Sequence, residues 1–457
     1  MGAAMDLAEA LLSTGAPGSE ASFSLFAQSL DPAWVEQALT ATGTATIRRR
    51  KLPAEYVVWL VIGMAMLRDR SIAEVVRHLD LVMPTPTGKR QHVSNGALVQ
   101  ARDRLGAEPL AWLFHSTAKL WASASADEHR WRGLALLGVD GSTLRVPDTP
   151  ENDTYFGRPG TSRGGAGAAY PQLRLVTLMV LRSHLLLDAA FGPYRKGELT
   201  LAQALWPRLP ERSLLIMDRE FANYENFQTL SDPAHQRYWL TRLKQGRRMM
   251  QLHHLQELRP GDTLVELRPS ASTRKLHPSL PETFTVRAIQ YQRKGFRAQT
   301  LLTSLLDPLA FPAAEIIALY HERWELELAY DELKTHTLER EEASLRCKNP
   351  ERVSQELWGL TIAYNLVRLT MAEVARRAGV LPNAISYRHT LHFVRAFWIS
   401  AWFASPGVLP KRLQTLFDEL PLLLLPARRD RVYPRAVKIK MSNYPRKRPR
   451  SQANRVN

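Results

Sequence analysis

Residues 320–334 read YHERWELELAYDELK, with five carboxylates, one arginine, one lysine and two tyrosines in fifteen positions, directly after the apolar-periodic PAAEIIAL at 312–319. The spacing predicts a single helix. At about 100° per residue with Tyr320 at zero, Arg323 falls near roughly 300°, Glu327 near 340° and Lys334 near 320°, so the four share one stripe. Glu322, Glu325 and Glu332 lie opposite, between roughly 120° and 200°, and are expected to form a solvated face. Asp331, near about 20°, rivals Glu327 for a place on the stripe. An Arg323–Glu327 pair could serve the helix alone, at about 0.3–0.5 kcal/mol. That reading leaves the aligned tyrosine and lysine unexplained, whereas a metal ligand flanked by phosphate donors accounts for all four.

Upstream, the segments LALLGVDGSTLRV, QLRLVTLMVLR and HLLLDAAFG are apolar runs separated by turns, followed by the helical ELTLAQALWPRL and the short buried-strand run SLLIMD. Three strands, a helix and a fourth strand predict an α/β domain with a mixed sheet from about residue 131. Residues 235–306 turn strand-like again, with long basic loops, and read as a β-rich insertion ahead of the helix. Asp140 lies within the first apolar run, where a carboxylate is costly unless paired or metal-bound. Asp-Gly between apolar runs is also the favoured type I′ hairpin turn, so both readings stand. Asp218 closes SLLIMD at the carboxyl end of a strand, the functional edge of α/β sheets, or else caps the next helix. Two such aspartates could share a divalent cation, and a third carboxylate would complete a site for phosphodiester chemistry.

The first 130 residues read as mostly helical, with Pro53 at a helix start and Ser94 or Asn95 capping a short helix closed by Gly106. On that helix Gln100, Arg102 and Arg104 are expected to point outward, as in a helix-turn-helix reader, although a packing helix with a polar face fits equally. The chain of 457 residues carries net charge +17, which favours a polyanionic partner, nucleic acid before membrane. From Arg428 onward eleven Lys or Arg stand against one acid, with Tyr433 and Tyr444 among them, and this tail is expected to bind phosphate. A single cysteine, Cys347, excludes an intramolecular disulfide. The longest apolar run, at 57–67, is too short to span a bilayer, and the acidic start lacks a secretory pattern, so the expected location is cytoplasmic, at the nucleoid. The glycine-rich segment 157–172 lacks the ending of a nucleotide-phosphate loop and reads as a connector, from which Arg158 and Arg163 could reach DNA. His253 and His254, without further ligands at metal spacing, read as surface residues.

Tyr320, Arg323, Glu327 and Lys334 match the Y-(2)-R-(3)-E-(6)-K signature of the DDE transposases of the insertion-sequence-four family. VDGSTLRVPDTPEN resembles that family's first-aspartate segment and LLIMDREF its second, and similarity continues through ERVSQELWGLTIAYNLVR and YPRAVKIKMSNYPRKR. The resemblance implies a ribonuclease-H-like α/β catalytic domain (131–234 and 307–380) interrupted by a β-rich insertion (235–306). Helical regions flank it: residues 1–130, binding DNA ends, and 381–457 with the basic tail. It implies that Asp140, Asp218 and Glu327 are catalytic and hold two magnesium ions, with manganese able to substitute, and that Tyr320, Arg323 and Lys334 contact double-stranded DNA. The implied reaction nicks the element's end, forms a hairpin and joins the freed end to target DNA, within a homodimer on paired ends. The competing readings are a nuclease without strand transfer, an inactive DNA-binding relic and a basic nucleoid protein.

Overall fold

The computed structural model describes residues 30–45, 52–79, 81, 92–160, 170–244, 250–293, 297–338 and 344–401, with positions 415, 418, 419, 424 and 425. Arg163 and the basic tail with Tyr433 and Tyr444 lie outside the described residues. The chain opens with helices α1 (Pro32–Ala41), α2 (Ala54–Met66), α3 (Ile72–His78), α4 (Asn95–Leu105) and α5 (Glu108–Glu128). Next come β1 (Ala135–Arg145), α6 (Pro150–Phe156), β2 (Gln172–Val180), β3 (Leu186–Pro193), α7 (Glu198–Gln203), β4 (Ser213–Met217), α8 (Tyr224–Leu230) and β5 (Arg237–Arg242). Then follow β6 (Leu252–Arg259), β7 (Asp262–Leu267), α9 (Ala271–Leu276), β8 (Phe284–Tyr291) and β9 (Gln299–Thr303). The last elements are α10 (Ala313–Glu322), α11 (Trp324–Asp331), a π turn (Glu332–Thr337), α12 (Pro350–Ala378) and α13 (Tyr387–Ala401).

The strands form one sheet in the order β3-β2-β1-β4-β5-β9-β8-β7-β6. β1 pairs antiparallel with β2 and parallel with β4, and β4 pairs parallel with β5, so within the first five strands only β2 is reversed. This is the ribonuclease-H-like arrangement, α/β with a mixed sheet. β5 falls within 235–306 yet pairs with β4, so the antiparallel strands of the β-rich segment begin after it and join the sheet edge through β5 and β9. Apolar residues alternate along the central strands because strand side chains point to opposite faces in turn. Leu136, Leu214 and Ile216 enter the core shared with α2, α5 and α12. Leu137, Val139, Leu215 and Met217 enter the core with Leu201, Ala202 and Phe227 of α7 and α8. α12 runs through the first of these cores. No described helix is long and apolar enough to cross a membrane.

Candidate active site

Asp140 lies inside β1, paired with Thr177 of β2, so the Asp-Gly step is extended strand and the hairpin-turn reading falls. The last parallel pair between β1 and β4 is Val139 with Met217, so Asp140 and Asp218 follow at the same level on adjacent strands. Parallel neighbours lie about 4.8 Å apart, which sets the two carboxylates side by side where β4 ends. Asp218 also caps a short 3-10 turn, Arg219–Phe221, its Oδ1 accepting from the Glu220 amide at 3.1 Å. Asp218 thus directly follows the end of β4 and also serves as a cap. Burial, opposed by the Gly141 amide at 2.8 Å and by Arg323, and reinforced by Asp218 and Glu198, pushes the Asp140 carboxyl up to about 6.

The signature segment is less regular than a single helix. It tightens at Arg323, whose amide donates to Tyr320, and becomes a π turn at Glu332. It packs closely over β1 because Gly138 has no side chain; a Cβ there would lie 2.7 Å from Leu181 and 2.9 Å from Leu326. Tyr330, which the sequence reading did not single out, donates to the Asp140 carbonyl at 2.7 Å and lies 3.0 Å from Thr177 Oγ1. Arg323 stands between two carboxylates, its Nη2 3.2 Å from Glu327 Oε1 and its Nη1 3.8 Å from Asp218 Oδ2. Burial depresses the Lys334 ammonium, and Asp140 partly restores it. Asp331 is exposed, and its Oδ1 accepts from Thr335 Oγ1 at 2.6 Å.

The expected solvated face is corrected. Glu325 is 6% exposed and Glu332 lies in the same buried layer, both bound to His184, while Glu322 pairs with Arg182 at 2.9 Å. The side opposite the stripe packs against the β2–β3 turn and α12, which bury Glu325 and leave Glu322 and Glu332 only partly exposed. The reading of Arg102 as outward is also corrected. α4 turns that residue onto α12, where Arg102 is 3% exposed, with Nε 2.7 Å from Gln355 Oε1 and Nη2 3.3 Å from Cys347 Sγ. The Arg352–Asp103 pair at 2.5 Å seals the contact, and Arg104 stays exposed. Arg102→Ala is therefore expected to cost about 2–3 kcal/mol of stability by thermal or denaturant unfolding, through the buried partners left unsatisfied. In the same measurement Arg104→Ala stays within about 0.5 kcal/mol of wild type.

A cavity of about 390 Å³ opens beside Glu327, where β5, β8 and β9 meet the signature segment. Arg242, Arg293, Arg297 and Arg323 line it with Tyr291, Tyr320 and Trp324. For Arg242, Tyr291 and Arg293 the signal lies in the basic, aromatic segments QRYWLTRLK (236–244) and ETFTVRAIQYQRKG (282–295) of the β-rich insertion. Their convergence on Glu327 needed the sheet. Among the described residues, no three His, Cys, Asp or Glu side chains stand close enough to form a finished ion cage. The donor set nevertheless suits a hard cation, being all carboxylate oxygen. The Arg323 guanidinium between Asp218 and Glu327 occupies the place of a positive charge.

Comparison with known proteins gives the family. Residues 131–366 match the family model described as transposase DDE domain, and residues 20–115 match the N-terminal domain of the insertion element 4 transposase. The chain is 39% identical over 425 residues to the transposase InsG for insertion sequence element IS4 of Escherichia coli (strain K12), covering 93% of this chain and 94% of that protein. The chain belongs to the IS4 family of DDE transposases. The putative transposase InsZ of the same strain is 38% identical over 216 residues, 47% of this chain and 70% of that protein. A cryo-EM structure of the piggyBac transposase synaptic complex with hairpin DNA aligns over 91% of this chain and 87% of that one, with TM-score 0.42 and 11% identity. This IS4-family transposase is thus a DNA-binding, DNA-transposing enzyme whose DDE domain uses divalent metal ions.

Proposed function

We propose that this transposase cleaves DNA at the ends of its insertion sequence and joins the freed 3′ ends to target DNA, with Asp140, Asp218 and Glu327 as its catalytic carboxylates. The observation that carries the reading is the β1–β4 register, which sets Asp140 beside Asp218, with Arg323 linking Asp218 to Glu327. The three carboxylates would hold two magnesium ions, with manganese as substitute, and the bound metal supplies the charge that makes a water or 3′-hydroxyl nucleophilic and steadies the leaving oxygen. Arg323 grips a backbone phosphate with two donors once DNA draws it from the acids, and Lys334 acts as a point charge. Tyr320, 7% exposed, forms part of the wall against which the DNA end rests. The arginine-lined cavity beside Glu327 extends the same phosphate-binding surface onto the β-rich segment.

The N-terminal helices bind the terminal inverted repeats, with Arg104 on the exposed side of α4. Two copies act on paired ends in a synaptic complex, through a hairpin end, at the nucleoid. A strand-transfer assay with magnesium and oligonucleotides bearing the element's ends tests this reading. It should yield both cut and joined products, and cutting without joining would leave a nuclease of the same fold.

A further inference from the structure

The side of the signature segment turned away from the stripe ends in a buried charged network that no step of the reaction uses. His184, 1% exposed in the turn between β2 and β3, has Nε2 2.8 Å from Glu325 Oε2 and Nδ1 3.3 Å from Glu332 Oε2. Arg368 of α12, fully buried, pairs with Glu332 and reaches His184, and the Tyr364 hydroxyl donates to Glu332 Oε2 at 2.9 Å. Burial pushes the Glu332 carboxyl up, but Arg368 and His184 outweigh it and hold the group well below the usual carboxylate range.

Glu325 and Glu332 lie seven positions apart and bracket Glu327 along the chain. A helix gripped at two points two turns apart on one side cannot roll about its axis, so the direction of its other side is set. Apolar packing would hold the segment as stably as a buried ion pair; what charged, forked contacts add is direction. Two further observations agree. His184 adopts φ +57, a conformation that side chains other than glycine take at a cost and that gathers at functional sites. Glu332 begins the π turn that carries Lys334, and such turns also gather at functional sites.

We propose that His184, Glu325, Glu332 and Arg368 form a positioning network that sets the roll of the signature segment and so aims Glu327 and Lys334 at Asp140 and Asp218. The inference rests on Glu327 being the third carboxylate of the site. Two variants of the full chain, bound to duplex oligonucleotides carrying the element's end, test it. In Glu332→Gln/Arg368→Met no buried charge is left unpaired, and the new side-chain amide keeps an acceptor oxygen for Tyr364. In His184→Asn the turn conformation is one asparagine tolerates. Each should unfold cooperatively and bind the DNA end like wild type. Manganese affinity, read by paramagnetic titration of the complex, should fall about 10–100-fold, as for other groups that orient metal ligands. Cleavage at fixed metal should fall with it and recover in part at higher manganese. Folded variants with wild-type manganese affinity and cleavage would overturn the proposal. Glu327→Ala in the same titration separates the two questions, since unchanged manganese binding there would instead remove Glu327 from the site.

Discussion

Glu327→Ala is expected to lower cleavage of element-end DNA by at least about a thousandfold, the scale on which groups acting as a unit fail together. DNA-end binding should persist, because Arg323, Lys334 and the arginine-lined cavity are untouched. Losing the Glu327 carboxylate also releases Arg323 from its 3.2 Å contact, while the 3.8 Å contact with Asp218 remains. Asp331→Ala is the control. Its carboxylate is exposed and engaged with Thr335, so cleavage should stay within about threefold of wild type, the range of an ordinary surface substitution. A gel-based cleavage assay beside a mobility-shift titration reads both quantities. The reverse pattern would move the third ligand to Asp331 and break the signature assignment.

Asp140→Asn is expected to abolish cleavage and yet raise the melting temperature in EDTA at pH 8 by about 1–3 °C, about 1 kcal/mol in a chain of this size. The sign follows from linkage. An acid whose folded pKa is raised, here to about 6 from 3.8, binds its proton more tightly folded than unfolded. Folding stability therefore falls as pH climbs from about 4 through about 6, and at pH 8 the full cost of burying the charge beside Asp218 and Glu198 is present. Asparagine removes that cost, so its advantage should shrink as pH falls and vanish below about pH 3, where Asp140 is protonated both folded and unfolded. Added magnesium should stabilise wild type more than the variant. A variant no more stable than wild type at pH 8 would mean that the buried carboxylate carries no such cost.

Some of this molecule was legible residue by residue. The strand runs LALLGVDGSTLRV, QLRLVTLMVLR, HLLLDAAFG and SLLIMD became β1, β2, β3 and β4, because alternation and β-branching report a local pleat. Ser94 caps α4 and Gly106 closes it at φ +69, as their chemistry requires. Helical periodicity grouped Tyr320, Arg323, Glu327 and Lys334, and the fixed spacing of those four carried the family resemblance. Periodicity gives angles between side chains, however, and says nothing of what each side of a helix meets. The acids Glu325 and Glu332 were therefore read as solvated when His184 and Arg368 cover them, and Arg102 was read as outward when α12 claims it.

The sequence by itself determined the strand and helix classes, the signature spacing and the basic character that points to DNA. Each of these is a property of neighbours within a few residues of one another. Only the tertiary structure decided that Asp140 and Asp218, 78 positions apart, stand level on adjacent parallel strands, that Gly138 lets the signature segment close over them, and that Arg242, Arg293 and Arg297 of the β-rich segment gather with Arg323 beside Glu327. Strand register and the docking of one layer on another arise from side chains far apart in the chain, and no local pattern encodes which of them will meet.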